Sequence, residues 1–341
     1  MKKLFLICIV LGSLSFSIGA AEYTDGRIRL VINENTGRFS LYFMTDIARE
    51  RYFPFFVDQD PRTSFLALMV NNRNYRMGES ASFKTKLGGT PSNPALIFES
   101  SFLTVTEEFS FIRTGSSSLT NGIRLTITIH NRGEQPIEAG VRFLIDTILG
   151  EEDSSHFSTD RRQIRSEAVI DASSGDAYWI SRGSLLALMG SVEAQGTRPD
   201  SIHLANWKRL NDTPWKIPLV SGRNFNFLPY SINDSAVCYY YEPAVINPGG
   251  FRAISVVLAA EDENGFALNN AVPDDLSRLI RDSTGLEGTD LRGAMQTDLI
   301  TLRDLVARLD NYLSSGTSVA EEELAAMGLL ISKIKAKYGI Q

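Results

Sequence analysis

Histidine and cysteine are the scarce residues of this 341-residue chain, with three of the first and two of the second. Any catalytic triad, zinc site or imidazole acid–base pair would have to draw on His130, His156 and His203. Cys8 and Cys238 are too few for a disulfide framework. Positive charge is not concentrated anywhere. Lys and Arg total 34 against 40 Asp and Glu, a formal net charge of −6. The absence of a basic block excludes the usual footprint of a nucleic-acid binder. Apolar runs are short: after the first residues, none approaches the ~20 needed to cross a bilayer as a helix. Phosphate-binding glycine motifs are missing too, because Gly88-Gly89 precedes neither Lys-Ser/Thr nor a helical pattern. No Gly-x-Ser-x-Gly nucleophile elbow occurs.

The N-terminus carries the one long apolar stretch. Lys2-Lys3, an apolar segment Leu4 to Leu14, and small residues leading to Gly19-Ala20-Ala21 read as a secretory signal peptide over residues 1–21. Cleavage near Ala20 or Ala21 then leaves an exported, periplasmic chain. Cys8 follows Ile7 inside the apolar segment, so it does not read as a lipidation site, and its removal leaves Cys238 alone. Cys238 precedes Tyr239-Tyr240-Tyr241 in a strand pattern and reads as a buried thiol.

The sharpest pattern lies between Asn121 and Gly150. Ile123, Leu125, Ile127 and Ile129 alternate with Arg124, Thr126, Thr128 and His130, which puts one apolar row on one face of a strand. Asn131-Arg132-Gly133 is turn chemistry, and a second strand starts near Pro136. Its mostly apolar run Val141 to Leu149 holds one carboxylate, Asp146, expected to be buried and hydrogen-bonded or part of a site. Residues 27–32 and 38–43 flank a hairpin loop ending in Gly37, and 63–70 and 75–77 flank a turn over Asn71 to Asn74. Further strands are expected over 95–99, 102–112, 185–192, 236–241 and 251–259. This spacing predicts a mainly β fold, a large antiparallel β-sandwich over residues 22–262. The segments 150–183 and 197–229 read as long loops that are functional or clamp the sheet edges.

After Asp262 the period changes. Residues 263–288 read as a linker with a short helix, and 289–341 as a C-terminal α-helical hairpin. Met295, Leu299, Leu302, Val306, Leu309 and Leu313 form one stripe with coiled-coil spacing. Leu324, Met327, Ile331, Ile334 and Tyr338 form another. Ser318 with Glu321 matches a capping box. Two outcomes stand open. The stripes close on each other and on the sandwich, or Leu299, Leu302, Val306, Leu309, Leu313, Leu324, Ile331 and Ile334 form an arm that docks a protein of the cell envelope.

Chemistry-bearing clusters are few. Asp146 followed by Glu151, Glu152 and Asp153 could hold Ca²⁺, although the spacing is not that of an EF-hand and a solvated acidic turn serves equally well. No other cofactor is indicated. Trp207 and Trp215 lie on a polar loop that either stacks a sugar ring or anchors the loop to the sheet. His130 reads as the polar face of a strand, His156 as loop, and His203 as the neighbour of a strand end.

Gly140-Val-Arg-Phe-Leu-Ile-Asp-Thr-Ile-Leu-Gly150, with Asn206-Trp207 downstream and Asn247-Pro-Gly-Gly250 later, resembles secreted bacterial β-sandwich proteins of no established activity. More broadly the chain resembles the mutarotase-like super-sandwich over residues 27–262. That resemblance implies a sandwich fold. The His/Glu arrangement of the family's enzymes does not map onto His130, His156 and His203. The chain accordingly reads as an exported, non-enzymatic interaction or scaffold protein of the bacterial cell envelope, in a larger periplasmic assembly such as a motility apparatus. The alternative is a carbohydrate-binding or carbohydrate-modifying protein that uses Asp146, Trp207 and Trp215. An acid–aromatic cleft would favour the second reading.

Overall fold

A computed structural model describes residues 20–57, 60–152, 155–262, 291–316 and 318–338, the side chains of 291–294, 296 and 297 excepted. Most of the expected signal peptide, the expected linker with its short helix, and Asp153 lie outside the described residues. In chain order the first strands are β1 (Ala20–Asp25), β2 (Ile28–Asn33), β3 (Arg38–Asp46), β4 (Arg51–Pro54), β5 (Phe65–Val70) and β6 (Arg73–Arg76). There follow β7 (Lys84–Thr90), β8 (Asn93–Glu99), β9 (Leu103–Ile112), β10 (Gly122–Asn131), β11 (Ile137–Asp146), β12 (Phe157–Thr159) and β13 (Gln163–Ile164). The last are β14 (Ala168–Ile170), β15 (Tyr178–Arg182), β16 (Ala187–Ser191), β17 (Ser201–Asn206), β18 (Ser235–Ile246) and β19 (Phe251–Ala260). The helices are α1 (Trp207–Asp212), α2 (Leu291–Ser315) and α3 (Glu321–Lys337).

These strands form three antiparallel sheets, in the orders β1-β2-β3-β4, β13-β12-β15-β16-β19-β10-β9-β8-β7 and β14-β17-β18-β11-β5-β6. The mainly β, sandwich-type fold with C-terminal helices is thus the one expected. One apolar core joins them. The alternating row Ile123, Leu125, Ile127 and Ile129 is fully buried there, with Val141, Phe143 and Ile145 of β11 and Val237, Tyr239 and Tyr241 of β18. Hairpin chemistry sets the register. The β5–β6 turn needs only Asn71 and Asn72, at φ 47° and 63°, a conformation Asn tolerates and two-residue hairpins require. At Gly37 the backbone runs so close to Gly78 that a Cβ would lie 2.6 Å from the Gly78 Cα. Only glycine fits there.

The segment expected as a long loop, 197–229, holds β17 and α1. In β17 every residue is buried, Ser201, His203 and Asn206 included, so its brief alternation over Ser201 to Leu204 marks no solvent-facing side. The Asn206 side chain caps α1 by accepting from the Arg209 N–H at 3.2 Å. The loop over 150–183 likewise contains four short strands, β12 to β15.

The hairpin docks on the sandwich. Leu305 of α2 and Ala326, Met327, Leu330 and Ile334 of α3 close a small core with Leu119, and Ile47 packs against it. The β-domain's Arg27 Nη1 donates to Glu322 at 2.9 Å, and Lys333 pairs with Glu50. Between the helices, Arg308 and Tyr312 meet Glu323, while Lys337 and Tyr338 meet Asp298. The expected stripe is therefore shifted around the helix. Asp298, Thr301 and Leu305 are buried, whereas Leu299, Val306 and Leu313 are 64%, 55% and 82% exposed. Leu302 and Leu309 are half-buried at the seam; on α3, Ile334 is buried but Leu324 and Ile331 face outward. The capping box is not formed either. Ala320 occupies the cap position with no side-chain bond, since Ser318 lies two residues too early.

Candidate functional site

Both faces of β11 are buried, and the faces differ. Odd-numbered residues from Val141 to Ile145 point into the inter-sheet core, while Arg142, Leu144 and Asp146 point to the opposite side. That side is covered by α1 and the segment after it. Trp207, Leu210, Trp215, Ile217 and Leu219 pack over Phe65, Leu144, Ala205, Ala236, Cys238 and Tyr240. Cys238 is the buried free thiol the sequence predicts.

Asp146 and Trp207 are brought to one place, through Thr63. The Trp207 indole N–H donates to the Thr63 carbonyl at 3.0 Å, and the Thr63 side chain lies beside the Asp146 carboxyl and favours its charged form. The Asp146 backbone N–H donates to Ser64 Oγ at 2.9 Å. Asp146 is 5% exposed, and burial pushes its carboxyl up to about 7. Glu151 reaches the same sheet end, accepting from the Ser235 N–H at 2.9 Å. Burial, with Asp234 and Asp146 nearby, pushes Glu151 up to about 8. Asp234 is raised by burial as well, against a hydrogen bond from Ser231. Asp146 and Glu151 therefore keep their protons to higher pH than exposed carboxyls do, and Asp234 is shifted the same way. The solvated-turn reading therefore applies to Glu152, which is exposed, and not to Glu151. Among the described residues no group of three or more His, Cys, Asp or Glu side chains is arranged to hold a metal ion.

The remaining sugar-site expectation separates. Trp215 lies at the other end of the covered face, edge-on to Tyr240 at 5.8 Å, and its carbonyl accepts from the Tyr240 hydroxyl at 3.1 Å. Both tryptophans are half-buried anchors holding α1 and its following segment to the sheet.

Several functional-type side chains on this face carry no local sequence signature. Arg142 sits beside Phe65 and Tyr240, 5.4 and 5.9 Å from their rings, and donates to the Leu210 carbonyl. Its position inside an apolar strand was the available signal. His203 is buried within β17, 4.7 Å from the Tyr240 ring, its Nδ1 without a hydrogen-bond partner among the described residues. His156 is buried against Phe225 at 4.3 Å, with Nδ1 2.9 Å from Ser235 Oγ. Burial lowers both imidazoles to about 4. His130 lies exposed on its strand, as expected. In the inter-sheet core, Glu107 faces Arg38 across a cavity of about 10 Å³. Burial raises Glu107 to about 8 against the pull of Arg38.

Open space lies elsewhere. A cleft of about 240 Å³ is lined by Phe53, Ile148, Glu152, Arg182 and Leu185 among others. A second, of about 400 Å³, is lined on its other side by Arg27, Phe43, Thr45 and Glu261. Arg182 is paired with Glu261, so the charge in these clefts is largely spent within the protein.

No family model and no curated protein matches this chain. Among solved structures it is similar to a galactose mutarotase related enzyme from Lactobacillus acidophilus, at 7% identity and a TM-score of 0.46, covering 73% of this chain and 99% of that one. A galactose mutarotase-like protein from Lactobacillus casei follows at 8% identity and 0.43, covering 71% and 100%. A TPR-domain containing protein from Parabacteroides distasonis, at 9% identity and 0.44, covers 93% of this chain and 64% of that one. The first two are weak likenesses to galactose mutarotase-like proteins, and no chemistry is carried across from any of the three.

Proposed function

We propose that this chain is an exported interaction or scaffold protein of the cell envelope, which uses its helical hairpin to hold a protein partner. The observation that carries this reading is the row Leu299, Val306 and Leu313, spaced by seven and 64%, 55% and 82% exposed. It lies on a helix whose other side is tied to α3, which is itself tied to the sandwich by Leu119 and the Arg27–Glu322 pair. Large apolar side chains exposed in a regular row on an anchored element are what an interface core requires. The buried carboxyls and imidazoles, by contrast, are engaged inside the fold or closed over by α1.

The test is affinity capture from native envelopes with the chain and with Val306→Lys combined with Leu313→Lys. Capture should vanish in the variant while its melting temperature stays within a degree or two, because neither side chain is buried. Equal capture by both proteins would refute the reading. Leu302 and Leu309 are unsuitable probes, being half-buried at the helix seam.

The carbohydrate reading is favoured by the convergence of Asp146 and Trp207 on Thr63. It requires α1 to lift. Glycan-array binding by the full chain that is lost on Trp207→Ala, with the fold retained, would replace the interaction reading.

A further inference from the structure

The outward row of α2 is self-complementary, and we infer that its occupant is a second copy of this chain, paired antiparallel about Val306. This rests on the interaction reading above and names its partner.

Leu299 and Leu313 lie seven residues before and after Val306. A two-fold axis at Val306 therefore sets Leu299 of each copy against Leu313 of the other, with Val306 against itself. The flanking charges obey the same symmetry. Arg303 lies three residues before Val306 and Asp310 four after it, both four residues beyond a member of the row and so on the same flank. In an antiparallel pair like flanks face each other, which puts Arg303 of one copy within one residue rise, about 1.5 Å along the axis, of Asp310 of the other. Two such ion pairs form, one on each side of the axis.

A parallel pairing does neither. It places the flank bearing Arg303 and Asp310 opposite the flank that holds Asp298, Leu305 and Tyr312, and that flank is already committed to α3. Arg303 is free to exchange. Its present partner is the adjacent Asp304, at 2.7 Å with side chains 73% and 41% exposed, a solvated pair that is inexpensive to break. Asp310 is exposed. Three apolar layers and two rim ion pairs make a small interface, so the association is concentration-dependent rather than obligate.

Sedimentation velocity of the chain without residues 1–19 is expected to show a monomer–dimer equilibrium. The Val306→Lys, Leu313→Lys variant should be monomeric at every concentration. Arg303→Asp and Asp310→Arg should each weaken dimerisation about tenfold, because two symmetric pairs are lost, and the double exchange should restore it. Orientation is read by cysteine substitution. Under mild oxidation Val306→Cys should form a covalent dimer while Leu299→Cys should not, whereas parallel helices would link both; the native Cys238 is buried. A chain that is monomeric at all concentrations, or a dimer unaffected by the lysine variant, overturns the inference. If that monomer still captures an envelope partner, and loses it with the lysine variant, the second copy is refuted and the interaction reading stands. If the lysine variant changes neither property, both fall.

Discussion

The inter-sheet core and the helical hairpin are built from equally regular apolar spacing, but only the first is closed on all sides. In the core, Ile123, Leu125, Ile127, Ile129, Phe143 and Tyr239 are all 2% exposed or less. In the hairpin, buried Leu305 and Leu330 share their helices with Leu299, Val306, Leu313 and Leu324, each at least half exposed. A sheet has two faces, and three sheets meeting on one core can cover the inner face of each. Two helices lying on a sandwich edge can cover only the sides they turn to each other and to the edge. The hairpin is also joined by charge, through Glu322, Glu323, Asp298 and Lys333, where the core is joined by apolar packing.

The largest effect expected from this difference comes from truncating each region in turn. Phe143→Ala, in the core, should cost about 3–5 kcal/mol of global stability in urea denaturation. Leu330→Ala, fully buried in the hairpin, should cost roughly 2–4 kcal/mol locally. That loss should appear as faster amide exchange in α2 and α3 with the midpoint of the sandwich unchanged. A matching drop in the global midpoint would make the two regions one cooperative unit.

An intermediate effect should sharpen the contrast between the two faces of β11. Asp146, at about 7, and Glu151, at about 8, hold their protons more tightly folded than unfolded. The stability they contribute is complete below pH ~4 and is lost as pH rises through 7 to 8, because the unfolded chain releases those protons first. Asp146→Asn cannot ionise. The variant's stability relative to the parent should therefore climb by roughly 1–3 kcal/mol between pH 5 and pH 9. His156 and His203, lowered to about 4, act with the opposite sign and weaken the fold as pH falls from about 6.5. A flat difference between Asp146→Asn and the parent would mean that Asp146 is ionised throughout.

The smallest effect concerns the hairpin's charged attachment. Arg27 and Glu322 are each about one-fifth exposed, and a double-mutant cycle on the pair should give about 0.2–1 kcal/mol of coupling. Zero coupling would leave the packing of Leu119 and Ile47 and the Lys333–Glu50 pair to hold the hairpin.

Local pattern carried further in some places than in others. The rows of β10 and the hairpins around Gly37 and Asn71 were legible, because strand alternation and turn dihedrals are set by the residues concerned and their nearest neighbours. The strand β17 was not, since its alternation lasts only from Ser201 to Leu204 and both its faces are buried, and α1 is too short to show a period. Asp146 could be recognised as a buried carboxylate from its apolar surroundings. Its meeting with Trp207 at Thr63 could not, because the three residues come from separate parts of the chain.

What the sequence determined by itself was the class of the longer, strongly periodic elements: strands from a period of two, helices from a period near three and a half, and turns wherever Asn or Gly accepts positive φ. Tertiary structure decided which face each element covers. On α2 the apolar positions are broad enough to allow several buried sides, and the inward one was selected by charge. Asp298 and Glu323 found partners on the facing helix, which turned Leu305 in and Leu299, Val306 and Leu313 out. Helical spacing lists the residues able to share a side, but it does not contain the neighbour against which one of those sides must close.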